Sequence, residues 1–235
     1  MAITVALIGN PNVGKTVIFN NLTGGREHVG NWPGVTVEKK VGVCIHKGTV
    51  MNIVDLPGVY SLTARSIAER IARNYIVEER PDVVVDIVDA SNIERNLYLT
   101  LLLLELEANV VVALNMWDVA KAKGYEIDVG MLSRLLGVPV VPTVAPRKEG
   151  MEELKDEIVK AAQRKEKRGM FISYGKEIED LIKKIEGVLS EDAKLSKRYP
   201  LRWLAIKVLE GDEEVIKKVR ESPQGAKIIS EVLPA

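Results

Sequence analysis

The sequence predicts an α/β protein: a mostly parallel sheet of six strands with helices on both faces, followed by a small all-α domain. Three observations predict it. The apolar run Ile3 to Ile8 leads through Gly9-Asn10-Pro11-Asn12-Val13-Gly14-Lys15-Thr16 into a helix-like segment, Val17 to Leu22. Short apolar runs then recur between helical periods, as strands buried on both faces of a parallel sheet require. Beyond residue 169 strand patterning stops and helical spacing alone continues.

The opening stretch sets the chemistry. Two glycines separated by four residues and followed by Lys-Thr, between a strand and a helix, make a P-loop. A triphosphate is a cluster of anionic oxygens, best met by backbone N–H groups where loop becomes helix. Gly14 lets the backbone close over the β-phosphate. Lys15 is expected to reach the β- and γ-phosphates, and the Thr16 hydroxyl to ligate Mg²⁺. Asn10, Asn12, Val13 and Val17 complete the expected nucleotide-binding set around this loop.

Bulk properties bound the rest. Lysines plus arginines equal aspartates plus glutamates at 33 each, so charge offers no reason to expect nucleic acid as a partner. Cys44 is the only cysteine and the histidines number two, which leaves no internal disulfide and no cysteine metal cluster. Nothing reaches the roughly 20 consecutive apolar residues of a membrane span, and no signal peptide opens the chain. The chain as given is expected to be soluble, which is compatible with its being cut from a membrane protein.

Residues 24 to 36 carry four glycines and a proline and read as a loop, not an element. Thr36 ends it, placed to swing in, complete the Mg²⁺ shell and sense the γ-phosphate. The strand-like Val37 to His46 follows. A further strand, Val50 to Val54, ends at Asp55-Leu56-Pro57-Gly58, where Asp55 suits Mg²⁺ through water and Gly58 offers its N–H to the γ-phosphate. Ser66 to Arg80 reads as a helix stopped by Pro81, Val83 to Val88 as a strand, and Asn92 to Ala108 as a helix.

The strand Val110 to Leu114 runs into Asn115-Met116-Trp117-Asp118. Guanine presents N1–H and a 2-amino group side by side, and one carboxylate accepts both, whereas adenine offers neither there. Asp118 is therefore the expected base reader, with Asn115 tying the base loop to the P-loop. Met116 stands where the usual Asn-Lys-x-Asp motif has lysine, and its alkyl chain can still cover the base. After the strand Val138 to Pro142, Thr143-Val144-Ala145 is expected to face the base, the Ala145 N–H donating to guanine O6. A helix over Glu149 to Lys165 closes the first domain. The boundary falls between 166 and 167, and four helices follow, marked by Ile178 to Leu189, Leu201 to Leu209, Asp212 to Arg220 and Gln224 to Leu233.

Together these motifs resemble the Era-like branch of small GTPases, with a Ras-like sheet. More narrowly, the chain resembles the cytosolic amino-terminal part of FeoB-type ferrous-iron transporters. The P-loop octapeptide, Val29 to Glu38, Asp55 to Leu62, Asn115 to Asp118 and Arg202 to Lys207 with Glu210-Gly211-Asp212 carry that likeness. The resemblance implies a GTP- and GDP-binding, Mg²⁺-dependent GTPase at the cytoplasmic face of a membrane. It also implies a helical domain that slows GDP release and a transmembrane permease domain after residue 235. It further implies K⁺ activation, with the Asn12 side chain and the carbonyls of Gly30 and Trp32 around the ion. Lys15, Thr36 and Gly58 are the implied catalytic set. One departure stands out: Ras-type enzymes carry a water-orienting glutamine where this chain has Val59, so slow hydrolysis is expected. An Era-like RNA-associated GTPase and a GTP-loaded binding switch with negligible turnover are the alternatives. The oligomeric state is left open, a homo-oligomer being one option.

Overall fold

The computed structural model describes residues 2–164, 172–222, 225, 226 and 229. The chain divides into two compact units, Met1–Met170 and Phe171–Ala235. The expected boundary between 166 and 167 lies outside the described residues.

The first unit is a seven-stranded sheet, one strand more than expected. In chain order the strands are β1 (Ala2–Gly9), β2 (Glu27–Asn31), β3 (Glu38–His46), β4 (Thr49–Asp55), β5 (Val83–Asp89), β6 (Val110–Asn115) and β7 (Val140–Pro142). Across the sheet the order is β2-β3-β4-β1-β5-β6-β7. The pairs from β4 to β7 are parallel, and β2 and β3 add an antiparallel edge. The additional strand is β2, inside the segment expected to be a loop. It pairs with β3 in the register Val29↔Lys40, and all five of its residues are exposed. Backbone hydrogen bonds hold it, so no buried side chain betrays it in the sequence.

The central strands are apolar for the reason anticipated. Every residue of β6 is buried, and in β5 only Asp89 is not fully so. One face packs on α1 (Lys15–Thr23) and α6 (Met151–Gln163), which contribute Ile18, Phe19, Leu154 and Ile158 to the core. The opposite face meets α3 (Ile93–Glu105), whose Thr100 hydroxyl donates to Asp86 Oδ2 at 2.6 Å. Asp86 is 1% exposed, and burial pushes its carboxyl up to about 7 despite that hydrogen bond.

The segment after Gly58 departs from the single helix expected over 66 to 80. A capping box of Ser66 and Glu69 starts α2 (Ile67–Asn74), which gives way to a π-helical turn at Tyr75–Glu79. Arg80, at φ 47°, ends it, because a residue before proline disfavours helical backbone. Two short helices not foreseen, α4 (Trp117–Ala122) and α5 (Val129–Leu136), fill the interval before β7.

The second unit is helical: α7 (Lys176–Ser190), α8 (Ala193–Arg198), α9 (Leu201–Leu209) and α10 (Glu213–Arg220). Helix α8, also unforeseen, is capped by Asp192. Ile182, Ile185 and Leu189 of α7 are buried together with Leu204, Ala205 and Val208 of α9. Arg202 clasps Glu179 through two 2.8 Å bonds and adds a third to the Ile172 carbonyl. The expected helix at 224 to 233 lies almost wholly outside the described residues.

Candidate nucleotide site

A cleft of about 720 Å³ opens at the carboxyl ends of the parallel strands, where ligands of open α/β sheets bind. Asn10, Asn12, Gly14, Lys15, Thr16 and Val17 form one wall, with Gly58 beside them. Asn115, Met116, Asp118 and Ala145 form the other end. Two motifs 100 residues apart in the chain thus face one space.

At the phosphate end, Gly14 takes φ 86° and caps α1, so its carbonyl receives the first helical N–H groups, those of Val17 and Ile18. A Cβ on Gly14 would come 2.5 Å from Asn115 Nδ2. The glycine is therefore required by the neighbouring loop as well as by its backbone angle. Asn12, at φ 68°, is the other left-handed residue of the loop. The Asn10 Oδ1 is buried with no hydrogen-bond partner among the described residues.

Lys15 Nζ pairs with Asp55 Oδ1. Burial holds the Asp55 carboxyl above its usual range, although the Lys15 ammonium opposes the shift. The half-buried Asp55 carboxylate, paired with Lys15, and the Thr16 hydroxyl at the head of α1 are hard oxygen donors of the kind that suit Mg²⁺. The Val59 N–H donates to the Gly9 carbonyl at 3.1 Å, fastening the Asp55 to Gly58 turn against the P-loop. The Val59 side chain is 3% exposed and is buried.

Asn115 is the hub of the base end. Its Nδ2 donates to the Val13 carbonyl at 2.8 Å, while its Oδ1 accepts from the Thr143 hydroxyl at 3.2 Å and the Ala145 N–H at 3.1 Å. The Asn21 amide of α1 donates to the Ala145 carbonyl at 2.7 Å. Val13, Thr143 and Val144 are buried, and the first two act through this network. The Ala145 N–H, expected to meet guanine O6, already serves Asn115. Met116 takes φ 57°, turning the chain so that Asp118 enters the first turn of α4.

Thr36, Gly30 and Trp32 are not in the cleft wall. Gly30 lies in β2 opposite Lys39, and the Trp32 carbonyl accepts from the Val35 N–H at 3.2 Å. The Trp32 side chain is 7% exposed. Sequence reasoning did not single out Asn21, Val119, Arg147 or Glu149; the bonds from Asn21 to Ala145 and from Arg147 to Asp118 are contacts that only the fold creates.

Fold and cleft define a P-loop domain of the GTPase class. Comparison with known proteins narrows the class: residues 3–158 match the family described as ferrous iron transport protein B, and residues 174–233 match the FeoB cytosolic helical domain. The chain belongs to the FeoB family. It is 54% identical to the Fe(2+) transporter FeoB of Methanocaldococcus jannaschii over 98% of its length and 33% of that protein's. It is 46% identical to the Fe(2+) transport protein A/Fe(2+) transporter FeoB fusion protein of Porphyromonas gingivalis, over 97% of its own length and 27% of that protein's. The chain thus spans a third or less of these relatives. The cytosolic domain of T. maritima FeoB in its GMPPNP form superposes with a TM-score of 0.88 at 46% identity, covering 96% of this chain and 86% of that one.

Proposed function

We propose that the chain binds and slowly hydrolyses GTP as the cytosolic, nucleotide-driven part of a ferrous-iron transporter, with the permease supplied by a membrane domain of the same native protein. The observation that carries this reading is the Asn115 network, which makes one rigid frame of the phosphate loop and the base loop. T. maritima FeoB has been solved with GDP and with GMPPNP, which supports the assignment.

In this reading Lys15 exchanges Asp55 for the β- and γ-phosphates, and Asp118 accepts the guanine N1–H and 2-amino group. Thr16, Thr36 and, through water, Asp55 would hold Mg²⁺. Asn12 with the Gly30 and Trp32 carbonyls would hold K⁺, supplying positive charge opposite the transferring phosphoryl. Thr36 and Gly58 orient the attacking water through backbone groups. The helical domain, 167 to 235, slows GDP release.

Calorimetric titration with GDP and ADP, together with phosphate release from saturating GTP, tests this. Tight GDP binding, no ADP binding and a measurable turnover are expected; equal affinity for the two diphosphates would overturn it. A second reading, a GTP-loaded switch that hardly turns over, is favoured by the buried Val59, and phosphate release measured over hours separates the two.

A further inference from the structure

The carboxylate assigned to guanine recognition is held by a residue outside every motif. Arg147 Nη1 donates to Asp118 Oδ2 at 2.9 Å, and its Nε donates to Glu149 Oε1 at 2.6 Å. Asp118 has no other hydrogen-bond partner among the described residues. The arginine is not a loose surface cation. Val144 and Glu149 pair backbone to backbone, at 3.1 and 3.3 Å, and close the turn that contains Arg147. The Arg147 N–H donates to the Val144 carbonyl at 3.0 Å within the same turn. That turn also contains Ala145, whose N–H is on Asn115.

Resting on the guanine reading above, we infer that Arg147 is a positioning residue for base recognition: steered by Glu149, it turns the Asp118 carboxylate toward the base edge and keeps it there. The hydrogen-bond inventory allows this while the base is bound. A carboxylate has about four acceptor sites; one arginine N–H on Oδ2 leaves Oδ1 and the remaining site of Oδ2 for the two guanine donors. Met116 gives this loop no cation of its own, so Arg147 is also the positive charge beside the reading carboxylate. With side chains 53% and 37% exposed, the pair is of the modest, salt-sensitive kind.

The test uses the full 235-residue chain, with GDP and inosine diphosphate, which keeps N1–H and lacks the 2-amino group. Wild type should prefer GDP. Arg147→Ala should cut that preference by about two- to five-fold by weakening GDP more than inosine diphosphate. Arg147→Lys should restore part of it, and Glu149→Gln should lower it less than Arg147→Ala does. In wild type, 0.5 M salt should bring the preference down toward that of Arg147→Ala. An unchanged preference in Arg147→Ala, or equal weakening of both nucleotides, would overturn the positioning role. A wild-type chain that binds GDP no better than inosine diphosphate would instead overturn the guanine reading of Asp118 on which this one rests.

Discussion

The indole of Trp32 meets the ring of Tyr75 edge-on, with centroids 5.5 Å apart and planes at 76°. Lys39 Nζ lies 4.7 Å from the indole centroid and 6.0 Å from the phenol, so one cation serves both faces. The contact joins the β2–β3 hairpin to the π-helical turn after α2. The two segments are thus fastened to each other, and neither Trp32 nor Tyr75 lines the cleft. The indole N–H is buried with no acceptor among the described residues, a cost that this arrangement tolerates.

Removing the tyrosine ring should free the tryptophan. In a background carrying Trp117→Phe and Trp203→Phe, Tyr75→Ala is expected to raise acrylamide quenching of Trp32 fluorescence and to lower stability by about 1 kcal/mol. Tyr75→Phe keeps the ring and should behave as the parent.

Potassium should accelerate GTP hydrolysis relative to sodium, and Asn12→Ala should abolish the difference while leaving GDP affinity within a few-fold. Phosphate release in matched chloride salts checks this. Gly30 and Trp32 lie outside the cleft wall, so Tyr75→Ala, which removes the ring packed on Trp32, is expected to enlarge the potassium effect.

Gly14→Ala puts a methyl against Asn115 Nδ2 and forces a left-handed backbone on a residue with a Cβ. The backbone alone costs roughly 1–2 kcal/mol. Because the methyl displaces the amide that braces the base loop, GDP should weaken together with loss of melting temperature, measured by calorimetry and thermal denaturation. A purely local phosphate defect would leave the melting temperature unchanged.

Asp86 gives a pH dependence with a definite sign. Burial pushes its folded carboxyl up to about 7 from the ordinary aspartate value of 3.8 that holds in the unfolded chain, so the folded chain binds the extra proton between them. The stabilising contribution is fully present below the unfolded value and is lost as pH rises through about 7. Asp86→Asn, neutral throughout, should flatten that slope and raise stability at pH 8 by about 1–3 kcal/mol. Urea denaturation at pH 5 and pH 8 measures both effects.

The parts of the fold that side chains dictate were legible before the structure. The runs Val83 to Val88 and Val110 to Leu114 announce buried strands because both faces need apolar groups, and the P-loop is written as one contiguous octapeptide. Strand β2 was not legible: its residues are exposed, and only backbone pairing with β3 holds it. Helices α4, α5 and α8 are too short for a clear apolar period. At the site, Lys15, Asp55, Asn115 and Asp118 are named by local motifs. The bonds from Asn21 to Ala145 and from Arg147 to Asp118 span 124 and 29 residues and leave no mark on local spacing.

The single Asn115 amide has a consequence for how this nucleotide pocket can be altered. A substitution there cannot retune base preference by itself, since the phosphate cradle slackens with it. Asp118 bears no such burden, being half exposed and bonded only at the rim. Engineering an orthogonal switch that answers to an unnatural purine should therefore begin at position 118 and leave position 115 untouched.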